Sequence, residues 1–109
     1  MEIDDAVVAF SALAQPTRLA ILKRLIAAGP GGETAGGLAD GVGAPAPTIS
    51  FHLKELVRAG LIQARRNGRR RIYAADYGGV RDLIDYLLAD CCGGDRRLCG
   101  PYVILKETA

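Results

Sequence analysis

The chain has a single histidine, only three cysteines and no apolar run near the length a bilayer demands, which is roughly 18 residues. Each shortage removes a class of function. With His52 as the sole imidazole, general acid–base catalysis finds no second histidine or paired nucleophile. Zinc sites draw mainly on imidazole nitrogen and thiolate sulfur, so a histidine-based zinc site also lacks its ligands. The cysteines, Cys91, Cys92 and Cys99, are odd in number and lie close to the C-terminus. That pattern speaks against a disulfide framework and for a thiolate site or free thiols. No cysteine-centred phosphate loop is present, which argues against a small thiol enzyme, and no catalytic residue is expected. The start, Met1-Glu2-Ile3-Asp4-Asp5, is acidic and lacks the basic stretch and apolar run of a signal peptide. The expectation is a cytoplasmic protein without a membrane partner.

Half of the 109 residues are hydrophobic and 24% are charged, as in an ordinary globular domain with one modest core. A single domain over residues 1–109 is expected, with a cysteine-bearing tail from about residue 90. The net charge is only +2, but it is unevenly spread: Arg65, Arg66, Arg69, Arg70 and Arg71 fall within seven residues. Such a local cluster on a near-neutral chain is a place for a polyanion to dock, or else a solvated charged hairpin.

Hydrophobic spacing gives the order of elements. Asp4 or Asp5 caps a first helix through Leu13, with Val7, Val8, Phe10 and Leu13 at helical spacing. Pro16 opens a second helix, where its fixed φ suits the first position, and Leu19, Leu22, Leu25 and Ile26 form one stripe. Gly29-Pro30-Gly31-Gly32 ends it. A short third helix runs from about Thr34 to Asp40, weak in propensity because of Gly36 and Gly37. After a turn at Gly43, Pro45 and Pro47 stand at the entry of a fourth helix reaching about Ala59, with Ile49, Leu53, Leu56 and Val57 inward. Leu61–Arg66 and Arg69–Ala74 read as strands joined by Asn67-Gly68, a strong signal for a tight hairpin. Val80–Ala89 is a last helix with Val80, Leu83, Ile84, Leu87 and Leu88 on one broad face, and Gly93-Gly94 stops it. The expected fold is mainly α with a two-stranded hairpin, in the order α-α-α-α-β-β-α.

Two short helices joined by a glycine turn and followed by a basic hairpin make a winged helix-turn-helix. The major groove of DNA accepts one α-helix, whose outward face must then bond base edges and phosphates. The candidates on the fourth helix are Thr48, Ser50, Phe51, His52 and Lys54, with Glu55 nearby. Thr48 and Ser50 offer hydroxyls, His52 a ring N–H, and Phe51 apolar contact to a thymine methyl. Arg66, Arg69 and Arg70 of the hairpin would lie along the backbone or in the minor groove and supply affinity more than choice of sequence. Taken singly, Thr48 and Ser50 also have a plain reading as solvated helix surface, and His52 as a capping or partly buried histidine; it is their combination with the arginine hairpin that favours DNA.

Three segments then resemble the ArsR/SmtB family of metal- and metalloid-responsive repressors. Gln15-Pro16-Thr17-Arg18-Leu19-Ala20-Ile21-Leu22 is similar to its second helix. Thr48 to Leu56 with Ala59-Gly60-Leu61-Ile62 is similar to its recognition helix and strand entry, and Arg65-Arg66-Asn67-Gly68-Arg69 to its wing. The resemblance covers roughly residues 5 to 90. It implies a homodimer joined through its first and last helices and bound to an inverted repeat in duplex DNA, with no cofactor required for DNA binding. The chain departs from the family at two inducer sites: Glu33–Asp40 contains no cysteine, and the last helix offers Asp82 and Asp85 but no histidine.

Cys91, Cys92 and Cys99 remain as the candidate inducer site. Adjacent cysteines are too close to pair without strain, so both thiols stay available. Three thiolates form a soft, sulfur-dominated site, while Asp90 and Asp95 are hard ligands. Trivalent arsenic, and antimony after it, accepts three sulfurs in a pyramid, whereas zinc lacks a plain fourth ligand here. Arg96 and Arg97 between the thiols favour the thiolate. Some arsenic sensors of the resembled family carry a similar C-terminal Cys-Cys…Cys arrangement, which makes As(III) the expected inducer. Unligated thiols, or a thiol-based redox or sulfur-responsive repressor, stay open as alternatives.

Overall fold

A computed structural model describes residues 1–89 of the chain. The elements are α1 (Ile3–Leu13), α2 (Pro16–Ala28), β1 (Glu33–Thr34), α3 (Ala35–Val42), α4 (Ala46–Arg58), β2 (Ile62–Asn67), β3 (Arg70–Ala75) and α5 (Tyr77–Leu88). This is the expected helical order with its hairpin, extended by one two-residue strand. β1 pairs with β3, Glu33 facing Tyr73 and Thr34 facing Ile72, so the sheet has three antiparallel strands in the order β1-β3-β2. A segment this short carries no periodicity, so only its partner strand reveals it.

Local chemistry sets the boundaries. The Gln15 side chain caps α2 by accepting from the Arg18 N–H, and Pro16 stands at its first turn. Thr34 caps α3 through Gly37 N–H, and Asp76 caps α5 through Gly79 N–H. α3 ends where Gly43 turns left-handed at φ 71°, a conformation glycine adopts without Cβ strain. There Gly43 and Ala44 both donate to the Ala39 carbonyl.

The core is aliphatic: Ile21, Leu22 and Leu25 of α2, Leu38 of α3, Ile49, Leu53 and Leu56 of α4, Leu61 and Ile62 at the wing base, and Leu83 of α5. α1 enters it with Ala6, Ala9 and Ala12. Here the expected stripes need correcting. Val7, Val8 and Phe10 are exposed, as are Leu19 and Ile26 on α2, Val57 on α4, and Ile84 and Leu87 on α5. The alanine face lets α1 approach the core closely, and the larger side chains of the same helix then point away from it. On α4, Ile49, Leu53 and Leu56 share their buried stripe with His52 rather than Val57.

The hairpin turn also lies one residue further on than expected. Asn67 pairs with Arg70, so the two-residue connection is Gly68-Arg69, with Gly68 at φ 66° in its first position. Two close approaches hold the ends of the sheet. Arg24 of α2 donates from Nε and Nη2 to both carboxylate oxygens of Glu33 (2.7 and 2.9 Å). At the other end the Asp76 N–H donates to the Leu61 carbonyl, and a methyl added at Gly79 would overlap the Gly60 carbonyl oxygen. α5 is thereby seated directly on the residues that follow α4.

Candidate nucleic-acid interface

α3, the Gly43–Pro45 turn and α4 form a helix-turn-helix, and β2–β3 project beyond it as a wing. Of the residues expected to read DNA from α4, Thr48, Ser50, Phe51 and Lys54 are exposed, Phe51 by 56%. His52 is not: it is 7% exposed and belongs to the core-facing stripe. Its spacing from Ile49 and Leu56, three and four residues, carries that signal in the sequence. The expectation that its ring faces the groove is therefore corrected. Its Nδ1 instead accepts a hydrogen bond from Arg18 Nε on α2 (3.0 Å). Burial first, and the Arg18 charge second, hold its proton affinity below the usual histidine range. A neutral imidazole is what this acceptor role requires. The Arg18 guanidinium also lies over the Phe51 ring, 5.5 Å from its centroid. Glu55 accepts from Arg58 (2.8 Å), which holds its carboxyl below the usual range.

On the wing, Arg66, Arg69 and Arg70 are all exposed. Strand register separates the arginines by role. Arg66 stands directly opposite Arg71, and Arg71 lies over the Tyr73 ring at 5.6 Å. Like charges facing each other across a strand pair are unfavourable in isolation, so this pair suits a face that meets anions. Arg71 is absent from the sequence candidates; it is the strand register that sets it opposite Arg66. Residues directly opposite in the register share a face, so Arg66 and Arg71 point the same way. Arg65 does different work: it donates to the Pro30 and Gly31 carbonyls (2.9 and 3.2 Å) and fastens the wing base to the α2–β1 loop.

No group of three or more His, Cys, Asp or Glu side chains among the described residues could hold a metal ion. Cys91, Cys92 and Cys99 lie outside the described residues.

Comparison with known proteins agrees with this architecture. A helix-turn-helix domain family model matches residues 13–63. The transcriptional repressor SdpR of Bacillus subtilis is 34% identical over 90 residues, covering 82% of this chain and 96% of the repressor. A homodimeric winged helix-turn-helix DNA-binding domain from Mycobacterium bovis, described as a possible ArsR-family regulator, superposes with a TM-score of 0.66. It is 30% identical and covers 81% of each chain. The chain belongs to the ArsR-type winged helix-turn-helix family. The relatives it matches are transcriptional regulators, SdpR among them a repressor. A probable mercury resistance operon repressor from Streptomyces lividans is 36% identical over 86 residues, 79% of this chain, and the chain spans 65% of that relative's length. A possible transcriptional regulator for arsenical resistance is 34% identical, with a TM-score of 0.60 over 72% of this chain and 81% of that one. No helix among the described residues is long and apolar enough to cross a membrane.

Proposed function

We propose that the chain is a cytoplasmic repressor that binds an inverted repeat in duplex DNA as a homodimer and lets go when As(III), or Sb(III), is held by Cys91, Cys92 and Cys99. The observation that carries the DNA half is the juxtaposition of an outward polar face on α4 with an arginine-loaded wing. Thr48, Ser50, Phe51 and Lys54 supply base and backbone contacts, while Arg66, Arg69, Arg70 and Arg71 supply phosphate contacts. The dimer half is supported by two exposed apolar stripes, Ile3, Val7 and Phe10 on α1 and Ile84 and Leu87 on α5, on helices that pack against each other. Contiguous apolar surface of this kind is ordinarily covered by a partner.

The inducer half is supported by three thiols in the 11 residues that follow α5, which ends at Leu88, and by the likeness to a regulator described for arsenical resistance. The likeness to a mercury resistance repressor favours Hg(II), another thiophilic ion, as a second inducer. α5 both lines the apolar stripe and sits on the Gly60–Leu61 corner below α4. A ligand that repositions its C-terminal end therefore alters the angle between the two recognition helices. The ligand has to favour the DNA-incompetent state, and coupling of about 1–3 kcal/mol is typical of such linkage.

The test starts by selecting bound duplexes from a random pool with the reduced protein. The selected duplex is then titrated with As(III), Sb(III), Hg(II), Zn(II) and Cd(II), using the wild type and the triple variant Cys91→Ser, Cys92→Ser, Cys99→Ser. Release by As(III) in the wild type alone is the expected result. Release that persists in the triple variant sinks the inducer assignment, and release by peroxide or persulfide but not by As(III) replaces it with thiol redox sensing.

A further inference from the structure

Arg18 of α2 is the unexplained charge beside the helix-turn-helix. Arg24 and Arg58 have carboxylate partners, at 2.7 and 2.8 Å. Among the described residues Arg18 has no ion pair, and its one side-chain hydrogen bond goes from Nε to the neutral Nδ1 of His52. Its guanidinium is also stacked over Phe51, a side chain that faces outward from α4. Nε and the ring face are therefore occupied, while neither terminal nitrogen has a protein acceptor among the described residues. A guanidinium fixed in plane with both terminal nitrogens open can bind a phosphate through a pair of bonds.

We propose that Arg18 is a backbone-phosphate contact whose guanidinium is held in place by His52 and Phe51, so that His52 serves DNA binding as a positioning residue without touching the duplex. This rests on the DNA-binding reading above and deepens it. The contact comes from α2, outside the helix-turn-helix pair and the wing, and it gives the buried histidine of the recognition helix a purpose. Such contacts set register on the duplex and are independent of sequence.

The charged surroundings of His52 make the arrangement sensitive to protons. Burial acts on the ring first, and the charge of Arg18 on α2 adds to its effect. No acid of α1, α3 or β2 forms a hydrogen bond or ion pair with His52 among the described residues. On α4 itself, Glu55 is bonded to Arg58 and also feels the charges of Arg18 and Lys54. Protonation would turn Nδ1 from acceptor to donor and set two cations against each other, which releases Arg18 from its position. A protein that merely gains charge binds DNA more tightly as pH falls. This one should bind more weakly.

The experiment measures binding of the full chain to a fluorescein-labelled, mixed-sequence duplex three helical turns long, by anisotropy across salt and pH. Arg18→Ala should lower affinity about tenfold at low salt and reduce the slope of log K against log salt by about 1 per chain. Arg18→Lys keeps the charge but not the fork, so it should keep the slope and lose part of the affinity. His52→Ala should lose affinity severalfold with the slope unchanged. His52→Gln, a neutral acceptor at every pH, should bind like the wild type near pH 7.5 and not weaken toward about pH 5.5 as the wild type does. Thermal melts identify any variant that fails to fold, and Arg18→Lys and His52→Gln carry the test if the alanine variants do. Wild-type binding with an unchanged slope in Arg18→Ala overturns this proposal and leaves the DNA-binding reading standing. The proposal falls in the same way if Arg18→Lys matches the wild type at every pH, or if His52→Gln weakens with acid as the wild type does. No binding by the wild type overturns both readings.

Discussion

Two neighbouring glycines at the start of α5 give a paired prediction with opposite signs. Gly78 and Gly79 both lie in the first turn of the helix, where alanine in place of glycine is ordinarily worth about 0.5–1 kcal/mol of stability. At Gly78 a new methyl finds only the Asp76 carboxylate, at 3.4 Å, an ordinary contact distance. Gly78→Ala should be neutral or stabilising. At Gly79 the methyl overlaps the Gly60 carbonyl oxygen. That carbonyl cannot retreat freely, because the Gly60 N–H is bonded to Val57 and the next residue's carbonyl holds the Asp76 N–H. Overpacking against backbone costs about 1–3 kcal/mol, and separating the two segments strains the Asp76–Leu61 bond, worth about 1 kcal/mol. The net effect of Gly79→Ala is a loss of about 2 kcal/mol, or a melting temperature lower by about 10 °C for a domain of this size. The assay is thermal unfolding of both variants at one fixed chain concentration, since dimerisation makes the midpoint concentration-dependent. Equal or greater stability of Gly79→Ala relative to Gly78→Ala would refute the close seating of α5 on the α4 corner.

Other consequences are as direct. Replacing Arg66 and Arg71 together by Ala should lower the salt slope of DNA binding by about 2 per chain, whereas Arg65→Ala should leave the slope alone and loosen the wing base, seen as faster amide exchange at Gly31–Gly32 and β2. Val7→Asp on α1 places a carboxylate in the exposed apolar stripe and should shift the protein to monomer in sedimentation equilibrium; an unchanged dimer places the interface elsewhere. Stability should depend on pH through His52. Its folded proton affinity is lowered, so the unfolded chain takes up the proton first as pH falls. Stability is then complete above about pH 6.5 and declines through the window below it. His52→Gln should flatten that part of the curve in a melting series.

The sequence is most legible where a single local rule acts. Pro16, Gly43 and Gly60 punctuate the helices, Asn67-Gly68 announces the hairpin, and the arginine cluster marks the wing. It is least legible where two faces compete on equal terms. On α1 both Ala6-Ala9-Ala12 and Ile3-Val7-Phe10 follow helical spacing, and hydrophobicity favours the second stripe. Close packing of the helix against α2 and α4 selects the first, because only small side chains allow that approach. His52 reads as outward because it stands among polar neighbours, although its spacing from Ile49 and Leu56 puts it inside. The separate duties of Arg65, Arg66 and Arg71 depend on what stands opposite or beneath each of them, Arg71 across the strand pair from Arg66 and the Pro30 and Gly31 carbonyls under Arg65, and the latter lie far off in sequence.

The alanine face of α1 has a consequence for how the protein responds to its own abundance. A helix that turns its small residues to the core and keeps its large ones outside has only part of its stabilising surface available within one chain. In the dimer proposed above, the remainder would be collected by mass action, when a second chain arrives. Dilution then acts on this regulator as a mild denaturant, and each doubling of its concentration makes every copy harder to unfold and to degrade. A repressor built this way senses, through α1, how much of itself is present.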